Sequence, residues 1–194
     1  EVSGIGIGNY TITKDEGNLS IKPVGEVKVT IQENTGVYEY NGEEQTVKGY
    51  KVVSITIDGK TTALYTESDF EFVGNEASKT SAGTNVGTYD MDLQEANFNN
   101  KNNNFAEVTF VILNGQLEIT PKPVILSTDT DSWIYDGLEH SLPTVHGTEG
   151  FYKRDGMVAT AETTVKNAGD NKTNTIEVSG IGIGNYTITK DEGN

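Results

Sequence analysis

The residues whose types could support metal or acid–base chemistry are few, and they cluster in the last third of the chain. His140 and His146 lie six residues apart, on either side of Pro143. A zinc site needs three or four converging His, Cys or carboxylate ligands, and the chain has no cysteine. A hydrolase triad is excluded as well, because there is no Gly-x-Ser-x-Gly turn and too few histidines to supply a base. We therefore expect two surface histidines, no metal or cofactor, no catalytic residues and no enzyme activity.

A short acidic motif resembles the start of a calcium loop. Asp129 and Asp131 have the spacing of its first two ligands, but Ile134 stands where the loop needs glycine and His140 where it needs glutamate. The EF-hand interpretation therefore fails. Two readings stay open: a solvated acidic face, and a calcium ion at a junction between modules.

Trp133 and Tyr135 are the aromatic pair of greatest interest. They alternate along one predicted strand, so their side chains should face the same side. The favoured interpretation is an anchor in the core or between sheets. The alternative is an exposed aromatic platform that faces a ligand and stacks on sugars.

The elements that would position these residues are strands. Short alternating runs rich in Val, Ile, Thr and Tyr are punctuated by Gly, Asn and Asp, as in residues 27–31. Asp58-Gly59 and Asn114-Gly115 each separate two such runs, which predicts two β-hairpins with tight turns. The asparagine-rich tract 97–105 predicts a loop, and the glycine-rich segment 4–8 predicts a bulged or closely packed strand.

Composition excludes several classes of partner. The 194 residues include 29 acidic and 14 basic side chains, a formal net charge of −15. Such a field repels phosphate backbones and anionic lipid, so we expect neither nucleic acid nor membrane as a partner. The missing cysteines fit a cytosolic protein or a bacterial surface protein that does not use disulfides.

The chain repeats itself over a long period. Residues 1–18 recur without change as residues 177–194, so residue 177 repeats residue 1 and the period is 176 residues. Repeats of this kind are typical of tandem arrays, which set length and spacing or multiply a weak contact.

A weaker internal repeat predicts the domain boundaries. Leu-Ser-Ile-Lys-Pro at 19–23 matches Leu-Glu-Ile-Thr-Pro at 117–121, and Tyr-Asn-Gly at 40–42 matches Tyr-Asp-Gly at 135–137. We therefore expect residues 1–24 to be tail strands of a preceding repeat, residues 25–121 a first β module and residues 122–194 a second β module that lacks its final strand. An unpaired edge is a template for added strands, so we also expect head-to-tail strand exchange between copies.

Together, these motifs resemble the YDG/MBG-type repeats of large bacterial surface proteins, especially Gram-positive adhesins. The closest stretches are residues 135–143 and residues 184–189. The resemblance implies an all-β, extracellular repeat of a cell-wall-anchored adhesin, with no catalytic residues. We expect two small sandwich-like modules, Ig-like or β-grasp-like, arranged end to end as a structural stalk. The alternative is a module that weakly binds mucin, glycan or a host protein and acts by avidity.

Overall fold

The computed structural model describes residues 1–22 and 24–193 and is built of strands. Its regular elements other than strands are short 3-10 turns, and no α-helix occurs in that part of the chain. The strands are β1 (Val27–Glu33), β2 (Gly36–Glu39), β3 (Gln45–Lys48), β4 (Tyr50–Ile57), β5 (Lys60–Thr61), β6 (Phe70–Phe72), β7 (Thr80–Gly83), β8 (Gly87–Asp90), β9 (Phe98–Asn100), β10 (Val108–Leu113), β11 (Gln116–Thr120), β12 (Lys122–Thr128), β13 (His140–Ser141), β14 (Val145–His146), β15 (Val158–Ala161), β16 (Thr164–Val165), β17 (Ile176–Ser179) and β18 (Tyr186–Asp191). The 3-10 turns are Ile7–Asn9, Glu67–Asp69, Glu76–Lys79, Glu95–Asn97, Thr148–Gly150, Lys153–Asp155 and Ile183–Asn185. The predicted all-β class is confirmed.

A bent parallel ladder, which we call the first ladder, organises the residues before Pro121. β1 runs parallel to β10 with Val27 opposite Val108, and β2 runs parallel to β11 with Gly36 opposite Leu117. Both pairs keep the same register, since 108 − 27 and 117 − 36 both equal 81. The two chain segments therefore travel side by side through β1–β2 and β10–β11, and they bend together between the two sheets.

This geometry corrects the predicted hairpin at Asn114-Gly115. β10 and β11 pair with β1 and β2, in different sheets, and not with each other. A Cβ on Gly115 would lie 2.5 Å from the carbonyl oxygens of both Glu33 and Asn34. Glycine is needed here because two backbones approach closely at the bend. An Asn-Gly pair can mark either such an approach or a tight turn, so the sequence pattern alone did not distinguish the two.

The hairpin at Asp58-Gly59 is confirmed. β4 pairs with β5 in the antiparallel sense, with Ile57 opposite Lys60. Both loop residues have positive φ, 48° for Asp58 and 76° for Gly59, as a type I′ turn requires.

A second, shorter ladder organises the residues after Pro121. β12 runs parallel to β18, with Lys122 opposite Tyr186 and Ser127 opposite Asp191, and β14 pairs with the other edge of β12. No sheet of the described residues combines strands from both sides of Pro121. Most buried apolar side chains nevertheless form one connected cluster, which extends from Val27 to Tyr186. The end-to-end arrangement of two modules stays a prediction.

Two other local predictions were wrong. The tract 97–105 is not all loop, because Phe98–Asn100 forms β9 against β6, and Phe98 and Phe105 are buried. The glycine-rich segment 4–8 leads into a 3-10 turn and not a bulged strand.

The first 22 residues form no strand, although tail strands were expected there. Every one of their side chains is exposed. Pro23, which ends the repeated motif at 19–23, and Asn194 lie outside the described residues.

Candidate functional site

A groove of about 700 Å³ lies beside the end of the second ladder. One wall is the segment from Asp129 to Asp136, which follows β12 and forms no strand. The opposite wall is formed by residues 165–172 and Asn174. Gly193, just past β18, also lines it. The groove therefore lies where the chain leaves both strands of the ladder.

Trp133 and Tyr135 line this groove, but not as the core anchors favoured from the sequence. No strand carries them, and their exposed fractions are 39% and 67%. The Trp133 ring stacks on the His140 ring, with centroids 4.9 Å apart and planes 13° apart. That they face a ligand stays a prediction.

The titratable residues of this region pair locally. His140 Nε2 lies 3.0 Å from Asp136 Oδ1, and His146 Nε2 lies 3.1 Å from Asp129 Oδ2. The Leu138 N–H and the His140 ring both hydrogen-bond Asp136 and lower the pKa of its carboxyl group. Among the described residues, no group of three or more His, Cys, Asp or Glu side chains is placed to hold a metal ion.

The bend of the first ladder and the end of the second ladder contain the same kind of hydrogen bond. In the first ladder the Gly115 N–H donates to Glu33 Oε2 at 2.6 Å, and Glu33 is 1% exposed. In the second, the Gly193 N–H donates to Thr128 Oγ1 at 2.9 Å. A Cβ on Gly193 would lie 2.5 Å from the Asp129 carbonyl oxygen, so a close backbone approach requires glycine both at Gly115 and at Gly193.

The equivalence extends to the next backbone hydrogen bond in each ladder. The Met91 N–H donates to the Gly115 carbonyl oxygen, and the Asn174 N–H donates to the Gly193 carbonyl oxygen. Asn174 is 8% exposed, and its Oδ1 has no hydrogen-bond partner in the structure. An unpaired buried carbonyl oxygen costs free energy, so this wall of the groove contains an unsatisfied hydrogen-bond acceptor.

A second feature is a buried polar cluster that connects the two ladders, which we call the tyrosine–aspartate cluster. Tyr40, which follows β2, donates its hydroxyl to Asp155 at 2.7 Å from Oδ1, and Tyr186 of β18 donates to Asp155 Oδ2. Tyr152 and Tyr186 both pack edge-on against the Tyr40 ring, at 5.7 Å and 5.6 Å. Arg154 donates to the Gly42 carbonyl oxygen.

Two amide contacts flank the cluster. Asn185 Oδ1 accepts from the Val86 N–H at 2.9 Å, and its Nδ2 donates to Asn85 Oδ1 at 3.1 Å. Residues 40–86 and residues 152–186 therefore meet in a packed, hydrogen-bonded interface.

Burial, together with the hydrogen bond to Asp155 and the negative charge of Asp155, raises the pKa of Tyr40 to about 12. Burial, followed by the hydrogen bond to Asp155, also raises the pKa of Tyr186. Both phenols therefore stay protonated as donors through the neutral range.

Sequence reasoning missed this cluster. It used Tyr40 only as a landmark of the internal repeat, and it placed the boundary between the two modules between residues 121 and 122. The available signal was that Tyr40 and Tyr186 each lie in a motif repeated along the chain. Nothing in the sequence pointed to Asp155.

Comparison with known proteins gives one family. The family model of the MBG domain matches residues 26–121. No curated protein and no solved structure gave a significant match. In the described residues, no helix has the length and apolar character needed to cross a membrane. The matched range covers the whole first ladder, from before β1 to the residue after β11, so this part of the chain is an MBG-type repeat.

Proposed function

We propose that this chain is a structural stalk repeat of an extracellular, cell-wall-anchored bacterial adhesin, and that it projects a distal binding domain away from the cell. An MBG domain fits a repeat-type surface protein module. The observation that carries the proposal is the unchanged recurrence of residues 1–18 at 177–194, because arrays of such repeats set length. Its partners are neighbouring repeats of the same chain, and it acts without catalysis.

The tyrosine–aspartate cluster supports a spacer that resists bending. Asp155 accepts hydrogen bonds from tyrosines of both ladders, and Tyr40 is 1% exposed. A hinge that bent freely would break these buried contacts, each of which costs about 1–3 kcal/mol when a partner is left unpaired. The net charge of −15 keeps neighbouring stalks apart by repulsion.

Small-angle X-ray scattering of proteins with one, two and three 176-residue periods tests the stalk. The maximum dimension should rise by an equal increment for each added period. A Tyr40→Phe/Asp155→Asn variant should give a broader distance distribution, whereas Tyr38→Phe, at an exposed position, should not. A maximum dimension that barely changes with copy number would contradict a stalk.

A weak glycan-binding module is the second candidate, and the exposure of Trp133 and Tyr135 favours it. Exposed aromatic rings beside a groove can stack on sugar rings. A glycan and mucin array tests this candidate function. The three-period protein is applied to the array because its repeated sites increase avidity. Binding that is lost in Trp133→Ala/Tyr135→Ala but kept in the control Ile181→Ala would establish it, and an array without binding would remove it.

A further inference from the structure

The two segments of the first ladder connect the residues between them to the rest of the chain. The chain runs through β1 and β2 from Val27 to Tyr40, and it returns at Glu107 to run through β10 and β11 to Thr120. Both segments run in the same direction, so Val27 lies at one end of the ladder and Thr120 at the other. Residues 41–106 are joined covalently to the rest of the chain only through these two segments.

Tension along the chain therefore acts along the first ladder. It draws Val27 backwards along β1 and Thr120 forwards along β11, so the two parallel segments are pulled past each other in opposite directions. In this shear geometry the evenly spaced hydrogen bonds between the segments share the force and must break together. If the same two segments were pulled apart sideways from one end, the bonds would break one at a time under a smaller force.

The pairing between the two segments extends over their whole length. It begins with Val27 opposite Val108 and continues to Glu39 opposite Thr120. Beyond that pair, the Tyr40 N–H donates to the Thr120 carbonyl oxygen at 2.9 Å. β1 also pairs with β4 on its other side, and β11 also pairs with β8. Whichever segment moves first, the hydrogen bonds between the two segments have to break.

Buried side chains on both segments resist sliding. Val27, Val29 and Ile31 of β1 are 0% exposed, and Leu117 and Ile119 of β11 are 0% and 1% exposed. A shift of the register by one residue would turn these side chains toward the opposite face of the sheet. Shear must therefore expose core side chains to water while it breaks hydrogen bonds, which raises the barrier to rupture.

Side chains bridge the bend, where the backbone pairing is interrupted between β1 and β2. Gln32 Nε2 donates to the carbonyl oxygens of Leu113 and Asn114 at 3.1 Å and 3.0 Å. Glu33 Oε2 accepts from the Gly115 N–H at 2.6 Å, and hydrogen bonds to a carboxylate are among the stronger ones in proteins. The connection between the two segments is therefore continuous from one end of the first ladder to the other.

We propose that the first ladder is a mechanical clamp, which carries tension from Val27 to Thr120 and keeps residues 41–106 out of the path of the force. The inference rests on the proposed stalk, which is held at the cell and pulled at its distal end. The second ladder has the same polarity, with Lys122 at one end and Asp191 at the other. The clamp works by slowing unfolding, because the unfolding rate governs the response to force.

Single-molecule force spectroscopy with cysteine attachment points tests the clamp, and the native chain has no cysteine. Lys28→Cys/Thr120→Cys is pulled along the ladder. Glu39→Cys/Thr120→Cys is the matched control, because Glu39 lies opposite Thr120 and the ladder is pulled apart sideways from that end. The first variant should rupture at a force at least about twofold higher at the same pulling speed, since its hydrogen bonds break together. Circular dichroism should show both variants folded.

Equal rupture forces in the two directions would overturn the clamp. They would leave the stalk in place, because the stalk is tested separately by the increase in maximum dimension with each added period.

The length released on rupture identifies the barrier. The attachment points at residues 28 and 120 are 92 residues apart (120 − 28). That length of chain extends to about 330 Å, of which the folded ladder already spans about 40 Å. A single rupture should therefore lengthen the molecule by about 290 Å. Release in several smaller steps would show that residues 41–106 carry the force and would contradict the clamp.

Gln32 tests the bridged bend. Gln32→Met keeps a side chain of similar length and removes both donated hydrogen bonds, so it should raise the rate of unfolding along the ladder on the order of tenfold. The control is Lys51→Met, at an exposed position of β4 opposite Gln32, which should leave that rate unchanged. Both substitutions are made in Lys28→Cys/Thr120→Cys, and an equal effect of the two would refute the role of Gln32 in the clamp.

Discussion

Residues 1–17 and 177–193 have the same sequence and different structures. In the second copy Tyr186–Asp191 is β18, paired with β12, and Tyr186 is 7% exposed. In the first copy the identical residues 10–15 form no strand, and Tyr10 is 75% exposed. The difference teaches that strand formation in this sequence depends on the partner strand, because ladder hydrogen bonds need a second chain segment and an isolated strand has none.

Because the two copies have the same sequence, each substitution in the second copy can be compared with the same substitution in the first. Tyr186→Ala should lower the free energy of unfolding by about 3–5 kcal/mol, because the ring packs between Tyr40 and Phe151 and the hydroxyl binds Asp155. Tyr10→Ala should change it by less than about 0.5 kcal/mol. Urea unfolding at a concentration where the chain is monomeric measures both, and equal losses would show that the two copies are not in different environments.

The preceding asparagine sharpens the comparison at smaller scale. Asn185→Ala removes the acceptor of the Val86 N–H and should cost about 1–3 kcal/mol, because that donor is left unpaired. Asn9→Ala, in the exposed copy, should cost close to nothing. Hydrogen exchange at the Val86 amide is a direct readout, and unchanged protection in Asn185→Ala would argue against the contact.

Gly193 and its counterpart in the first copy, Gly17, extend the test to backbone packing. Gly193→Ala should lower the free energy of unfolding by about 1–2 kcal/mol, since its Cβ would meet the Asp129 carbonyl oxygen at 2.5 Å. Gly17→Ala has no atom within 4 Å of the new Cβ, so the same change should be neutral there. Thermal melts of the two variants suffice, and a loss in Gly17→Ala as large as in Gly193→Ala would contradict the different surroundings of the two glycines.

The smallest effect is an alkaline one in the tyrosine–aspartate cluster. The folded-state pKa of Tyr40, about 12, lies above its ordinary value of 10.0, so the folded protein keeps the proton to higher pH than the unfolded chain. The stabilisation is complete below pH 10 and is lost as the pH rises from 10 to 12. At pH 11 the loss of stabilisation amounts to about 1 kcal/mol. Urea unfolding from pH 9 to 11.5 should show a shallower decline in Tyr40→Phe than in Tyr38→Phe, and parallel declines would remove Tyr40 as the cause.

Sequence reasoning succeeded where the signal was local and failed where a distant partner decided. The turn at Asp58-Gly59 was predictable because positive φ at two residues is a property of those residues. The Asn114-Gly115 signal looked the same, but β10 and β11 had better partners in β1 and β2, which lie about 80 residues away. The exposure of Trp133 and the role of Asp155 could not be predicted from the sequence, since both depend on which distant segments are brought together.

The two copies show which features depend on local sequence and which depend on a distant partner. Each contains the same 3-10 turn, at Ile7–Asn9 and at Ile183–Asn185, closed by hydrogen bonds between residues three apart. The sequence determined that turn by itself, because its donors and acceptors all lie within a few residues. Only the tertiary structure decided which copy became a strand, because a ladder needs β12 alongside it and the side chains need a core to enter.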